Sequence, residues 1–132
     1  MKRAGAVLTL LLVLLCAREV PSADSCVEYA KSELEGKYPR AFGAGATVRG
    51  PISVLAIERD ERTKIAACSH CPQKPFGYMH AKWEKFKNQI RPGDCIVFFR
   101  SDQASWKALA GVEGYVLMRG KKLILEILTR IS

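Results

Sequence analysis

The fold is decided by residues 83–131, which read WEKFKNQIRPGDCIVFFRSDQASWKALAGVEGYVLMRGKKLILEILTRI. A stripe of large apolar side chains leads into this stretch: Met79, Trp83, Phe86 and Ile90. Their helical spacing places all of them on one side of a helix, which is therefore predicted to pack on the core. Pro92 and Gly93 follow at the central positions of a type II turn, so the chain should reverse direction there.

After this turn, residues 95–99 form the apolar run CIVFF, which shows no polar alternation. Such a run predicts a strand that is covered on both faces or lies in the middle of a sheet. Ser101 or Asp102 can then cap a short helix, and Gly111 suits the left-handed position at its end.

A final hairpin is predicted from residues 112–118 and 123–131, divided by the turn sequence RGKK at 119–122. Alternation would direct one set of side chains to the core: Leu123, Leu125, Ile127 and Ile131. The opposite set is polar: Lys122, Glu126 and Arg130. One face of this hairpin should therefore pack on the core, and the other should be partly wet.

Toward the N-terminus, Ser25 and Glu28 form a capping box and predict the start of a helix that Gly36 and Pro39 end. Residues 52–57 and 63–68 are apolar around the charged segment 58–62, and are interpreted as a second hairpin. Together these elements predict an α+β fold, a small single domain with a mostly antiparallel sheet packed against two main helices.

The first residues are typical of an export signal. Lys2 and Arg3 precede an apolar run at 4–17 that is too short for a comfortable membrane span. Residues 1–22 are therefore interpreted as a signal peptide cleaved after Ser22, with residues 23–132 as the single mature domain and no transmembrane segment left after cleavage. The protein is expected to be periplasmic or secreted.

The chain is basic, with 21 Lys and Arg residues against 13 Asp and Glu. Without residues 1–22, 18 basic and 12 acidic residues remain, a net charge of about +6. This excess favours an anionic cell-envelope component or an acidic partner protein, and the candidate anion-binding residues are Lys82, Lys85, Lys121 and Lys122. The charges form no continuous block, so nucleic acid is not favoured, and solubility alone is the alternative explanation.

Four cysteines follow the signal peptide: Cys26, Cys68, Cys71 and Cys95. An even number in an exported domain predicts disulfides, for which three pairings are possible. Cys95 lies in an apolar strand and should be buried. We expect it to pair with Cys68 or Cys71, and Cys26 to pair with the other; a free buried Cys95 is the alternative.

The sequence Cys68-Ser69-His70-Cys71 could in principle support redox or zinc chemistry. A reactive cysteine of this kind begins a helix, whereas Pro72 and Pro75 prevent a helix here. A zinc site with His70 or His80 would lack the second ligand pair that such sites need. A structural cystine loop is favoured, and no metal or cofactor is expected.

The C-terminal half of the chain resembles a family of short, uncharacterised bacterial exported proteins. Their pattern approximates W…GD…F…SW…LAG..G…L.RG…T. The residues that match it are Trp83, Gly93, Asp94, Phe98, Phe99, Ser105, Trp106, Leu109, Ala110, Gly111, Gly114, Leu117, Arg119, Gly120 and Thr129. Val112 and Glu113 stand where the family has Arg and a variable residue. The resemblance covers residues 79–132 and implies a shared fold unit without a reaction.

A looser similarity is to NlpC/P60-type cysteine peptidases, carried by Cys26 after a helix cap and by residues 92–94 before an apolar strand. It implies an alternative function, a degenerate cysteine hydrolase with Cys26 as nucleophile. The thiol would need an imidazole to activate it. Residues 112–114 occupy the place of the family's histidine, so His70 or His80 would have to fold back beside Cys26.

From the charge, the predicted export and the incomplete catalytic set, we expect a non-catalytic exported protein. It should bind an anionic cell-envelope component or an acidic partner protein, in the manner of an inhibitor or an immunity factor.

Overall fold

The computed structural model describes residues 22–132. Residues 1–21 of the predicted signal peptide lie outside the described residues, and only its last residue, Ser22, is described. The elements are α1 (Ala23–Lys37), β1 (Thr47–Arg49), α2 (Val54–Ala66), a 3-10 turn (Gly77–Met79), α3 (His80–Asn88), β2 (Cys95–Arg100), α4 (Gln103–Lys107), β3 (Val112–Arg119) and β4 (Lys122–Ile131). The strands form one antiparallel sheet in the order β1-β2-β3-β4. The α+β class is confirmed.

β2 is one of the two inner strands, paired with β1 on one side and with β3 on the other. Val97 faces one core cluster and Ile96 faces another, because successive side chains of a strand point to opposite faces. Both clusters are buried, which confirms the prediction of a strand covered on both faces. The predicted turn before β2 is also present, with a φ of 87° at Gly93 and a hydrogen bond from Asp94 N to Arg91 O.

One face of the sheet is covered by α1. Ala30 and Leu34 are fully buried against Phe99 and Val116. The first turn of α1 begins at Ala23, with Ser22 as its N-cap, where Ser22 Oγ accepts a hydrogen bond from Ser25 N. In the uncleaved chain, α1 therefore begins one turn before the predicted capping box at Ser25, because Ser22, the last residue of the predicted signal peptide, offers the same capping hydroxyl.

The other face is covered by α2 and α3. Trp83 and Phe86 are buried against the sheet, and Met79 and Ile90 pack at the rim of the same cluster. The predicted packing of the stripe on the core is thus confirmed, although of these residues α3 holds only Trp83 and Phe86, and Met79 and Ile90 flank it. Ile57 of α2 completes this core.

The predicted hairpin at 52–68 is wrong, since this segment forms α2. Ser53 caps the helix by accepting a hydrogen bond from Ala56 N, at 3.1 Å. Ile57 and Glu61 then turn inward one helical turn apart. The charged residues that resembled a turn are good helix formers, and two short apolar runs that flank them fit a helix as well as two strands. The fold therefore has three helices of nine residues or more instead of two.

The final hairpin is present, but β4 does not alternate as predicted. Its register with β3 shifts at two places, where Ile124 and Thr129 are the extra residues. The first bulge turns Leu123 toward the α1 core, while Leu125 faces the α3 core. The face expected to be partly wet is covered by α1, where Tyr38 donates a hydrogen bond to Glu126.

The short helix α4 is capped by Asp102, whose carboxylate accepts from Ser105 N at 2.7 Å. The same carboxylate accepts from Gly43 N at 2.9 Å and so ties down the glycine-containing loop before β1. The left-handed residue after α4 is Leu109, with a φ of 57°, and the prediction for Gly111 is wrong. Gly111 instead lies so close to the Trp106 ring that a Cβ atom would overlap it.

Candidate binding groove

The four cysteines are paired as Cys26–Cys95 and Cys68–Cys71. Disulfide bonding is confirmed, and the expected pairing of Cys95 with Cys68 or Cys71 is wrong. The reason is topological: α1 crosses the start of β2, so Cys26 and Cys95 meet on one face of the sheet with their Cα atoms 6.7 Å apart. Cys68 and Cys71 lie in the loop after α2 and close a local ring.

The structure does not bring Cys26 and the two histidines together. Cys26 is bonded to Cys95 and only 1% exposed, so its sulfur is not a nucleophile in this state. His80 belongs to α3 on the opposite face, where its Nδ1 lies 2.9 Å from Pro75 O. Thiol activation of the NlpC/P60 kind requires a free sulfur beside an imidazole, which this arrangement lacks.

A cavity of about 470 Å³ lies beside the Cys26–Cys95 bond and is mostly lined by apolar residues of the β1–α2 loop and β2. Its charged group is Asp94, which is held by Arg119 through two hydrogen bonds of 2.9 and 2.8 Å. These bonds, and one from Arg91 N, hold the pKa of the Asp94 carboxyl below its ordinary value. A carboxylate fixed in its ionised form by a guanidinium is poorly suited to proton transfer near neutral pH.

The Cys68–Cys71 loop is organised by Gln73, whose amide nitrogen donates to the carbonyls of Cys68 and Cys71 at 3.2 and 3.1 Å. Cys68 follows the C-terminus of α2, so the helix dipole does not stabilise a thiolate there. His70 contributes only its backbone carbonyl, which accepts from Tyr78. Among residues 22–132, no group of three or more His, Cys, Asp or Glu side chains is arranged to hold a metal ion.

Glu58 forms a polar anchor between α2 and α3 that the sequence did not reveal. Its Oε1 accepts from Trp83 Nε1 at 2.9 Å and from Lys87 Nζ at 2.8 Å. The bond from Lys87, and then that from Trp83, lowers the pKa of Glu58. Lys87 also pairs with Glu84, so it belongs to the structural network and not to a free basic surface.

A larger open groove lies between α3 and β4 and has a volume of about 700 Å³. The groove is lined by Met79, Lys82, Lys85, Phe86 and residues 125–131. Met79, Phe86 and the leucine and isoleucine side chains supply an apolar floor. Lys82, Lys85 and Arg130 are exposed and place positive charge at its rim.

The groove also contains the free edge of the sheet. β4 pairs with β3 only, and in the described part of the chain no strand lies on its other side. Residues 125–131 line the groove without interruption, although alternate side chains of a strand point to opposite faces. The groove therefore follows the backbone edge of β4 and not one face of it.

The structure separates the four lysines that the sequence singled out. Lys82 and Lys85 lie together at the groove, and neither forms an ion pair within residues 22–132. Lys121 lies over the Tyr29 ring of α1, 5.5 Å from its centroid, and Lys122 is exposed at the start of β4. Lys121 and Lys122 line none of the groove.

Arg130 is the groove residue that sequence reasoning did not select. The signal that the sequence offers for Arg130 is its place on the polar side of the last strand, which forms an edge of the sheet. Its guanidinium lies 4.6 Å from the centroid of the Trp106 ring, which orients it by a cation–π contact.

Neither the family models nor the curated proteins nor the solved structures include a match to this chain. Within residues 22–132, every helix is too short or too polar to cross a membrane.

Proposed function

We propose that this chain is a non-catalytic exported protein that binds an acidic partner protein through the groove between α3 and β4. The observation that carries this proposal is one apolar groove with Lys82, Lys85 and Arg130 at its rim and the free edge of β4 along its side. The two disulfides support the exported part of the proposal, because such bonds persist in oxidising compartments.

The charge at the groove is available to a partner. Lys87, one turn along α3, is occupied by Glu58 and Glu84, each at 2.8 Å. Lys82 and Lys85 form no ion pair within residues 22–132, and Glu126, the carboxylate that lines the same groove, is paired with Lys37, so an incoming acidic group can pair with both lysines. Positive charge of this kind accelerates association and selects an acidic surface.

An acidic protein suits this site better than a polyanionic envelope polymer or a lipid surface. Headgroups and polymers need exposed cations alone, whereas this groove adds accessible apolar side chains of Met79, Leu125 and Ile131 and unpaired strand backbone. A polypeptide can contact the cations, the apolar side chains and the strand backbone at once. A small, disulfide-linked domain that covers an acidic surface of another protein would act as an inhibitor or an immunity factor.

The test compares two charge reversals of equal size. The probe is a fluorescent peptide of alternating Glu and Val, followed by anisotropy at low and at high salt. Lys82→Glu with Lys85→Glu should weaken binding by about tenfold or more, because the attraction becomes repulsion. Lys121→Glu with Lys122→Glu changes the net charge equally away from the groove and should weaken binding by no more than about twofold.

Equal losses in the two double variants would contradict the proposed site, since they would show that only net charge matters. Vesicles of anionic phosphatidylglycerol provide the competing arm. Strong retention on these vesicles, with no binding of the peptide at low salt, would overturn the acidic-protein proposal.

A further inference from the structure

We infer that the acidic partner enters this groove as an extended segment that pairs with the outer edge of β4 and becomes a fifth strand of the sheet. This inference rests on the proposed function and specifies how the partner is held: by main-chain hydrogen bonds to β4, with its alternate side chains directed at α3. The partner chemistry is an extended peptide that carries carboxylates at every second position.

The main-chain part of the argument comes from the topology. β4 is the last strand in the sheet, so half of its backbone N–H and C=O groups point away from β3. The backbone bonds formed outside regular elements include none from residues 122–131 to another segment of the described chain. Exposed edge groups of this kind are a template for an added strand.

The two bulges limit where such pairing can occur. Register shifts at Ile124 and Thr129 interrupt the ladder, and the residues between them, Leu125 to Leu128, pair regularly with β3. Bulges twist a strand and impede long edge-to-edge pairing. The added strand should therefore be short and centred on these four residues, with the lysines of α3 deciding which peptides are accepted.

The charges decide among the possible occupants. A second copy of this chain would bring another Lys82, Lys85 and Arg130 to the same edge, and the two positive rims would repel each other. An acidic peptide meets the same rim with attraction. Within residues 22–132 the opposite sheet edge is less suited to an added strand, since β1 has only three residues and Pro51 soon after it has no N–H to donate.

The experiment uses the Glu-Val peptide in two N-methylated forms, one with methyl groups on the odd amides and one on the even amides. A strand presents alternate amides to opposite edges, so one form blocks pairing with β4 and the other leaves it intact. The expected result is a loss of about tenfold or more for one form and of about threefold or less for the other. A second readout is amide hydrogen exchange, which should slow in residues 125–128 when the unmethylated peptide binds.

Equal affinity of both methylated forms, together with unchanged exchange in residues 125–128, would overturn strand addition. If Lys82→Glu with Lys85→Glu still weakened peptide binding in that case, the proposed function would still stand. Absence of binding by every acidic probe would instead overturn the proposed function itself. A dimer in sedimentation without peptide, with slow exchange at β4, would show that a second copy occupies the edge.

Discussion

The two faces of the sheet differ in how their helices are held. On one face α1 is linked covalently to β2 by Cys26–Cys95, and Ala30 and Leu34 have no exposed surface. On the other face α2 and α3 are held without a disulfide between helix and sheet, by aromatic packing around Trp83 and by the Glu58 anchor.

This difference explains why the groove lies on the α3 side. Small side chains such as Ala30 and Cys26 let α1 pack closely on the sheet, and the cavity beside Cys26 has the smaller volume, about 470 Å³. Large rings of Trp83 and Phe86 lie between α3 and the sheet, and α3 has only nine residues, so the edge of β4 stays open beside it. The larger of the two openings therefore lies on the α3 face, beside the free edge of β4.

The largest effect is expected from Trp83→Ala, which removes the centre of the α3 face. Trp83 is fully buried and its ring centroid lies 4.8 Å from that of Phe76 and 5.4 Å from that of Phe86. The free energy of unfolding should fall by about 5 kcal/mol, near the upper end for such truncations. Chemical denaturation measures this change.

Trp83→Phe is the control, because it keeps a six-membered ring in the core and removes the indole N–H bond to Glu58 together with the smaller ring of the indole. It should cost less than half as much as Trp83→Ala. If Trp83→Ala lowered the free energy of unfolding less than removal of the Cys26–Cys95 bond does, the α1 face would contribute more to stability than the α3 face. That outcome would contradict the expected order of the two faces.

The next effect concerns the two disulfides, whose loops differ greatly in length. Cys26 and Cys95 are separated by 69 positions, whereas Cys68 and Cys71 are separated by 3. Loop-closure entropy predicts a loss of about 4 kcal/mol when the first pair is replaced by alanine and of about 2 kcal/mol for the second. Equilibrium unfolding of the two double variants measures both losses under identical conditions.

The Cys68→Ala and Cys71→Ala variant should also bind the Glu-Val peptide as the parent does, since neither residue lines the groove. Equal stability losses in the two double variants would indicate that the α1 face does not depend on its covalent link, and the contrast between the faces would then rest on packing alone.

A third effect, no larger than that of removing the Cys68–Cys71 bond, is expected from Glu58→Gln, which weakens the polar anchor of the α3 face. The pKa of Glu58 lies below its ordinary value of 4.5 in the folded chain, so its contribution is present above that pH and is lost as the pH falls toward the folded pKa. The variant should lose about 2 kcal/mol near neutral pH and little further in acid. In unfolding curves measured from pH 7 downward, the free energy of unfolding of the parent should fall toward that of the variant.

Glu84→Gln is the matched control, because Glu84 pairs with the same Lys87 at the surface and its side chain is 47% exposed. The loss should be about 0.5 kcal/mol or less. A parallel pH dependence for Glu58→Gln and the parent would exclude Glu58 as the group responsible for acid weakening of this face.

Most of the C-terminal half of the fold could be predicted from local sequence. The stripe from Met79 to Ile90, the turn at Gly93, the apolar strand β2 and the hairpin turn at Gly120 are all present. Each depends on residues within a few positions of one another, so spacing and turn chemistry are sufficient to predict it. Of the four candidate lysines, Lys82 and Lys85 line the groove and Lys121 and Lys122 do not, and anion binding by any of them stays a prediction.

Tertiary structure decided what depends on residues far apart. Two short apolar runs around a charged segment fit a hairpin or a helix, and packing of Ile57 against the sheet selects α2. The pairing of Cys26 with Cys95 required the crossing of α1 over β2, which no local pattern encodes. The groove arises in the same way, because Lys82 of α3 and Arg130 of β4 become neighbours only when the helix packs beside the last strand.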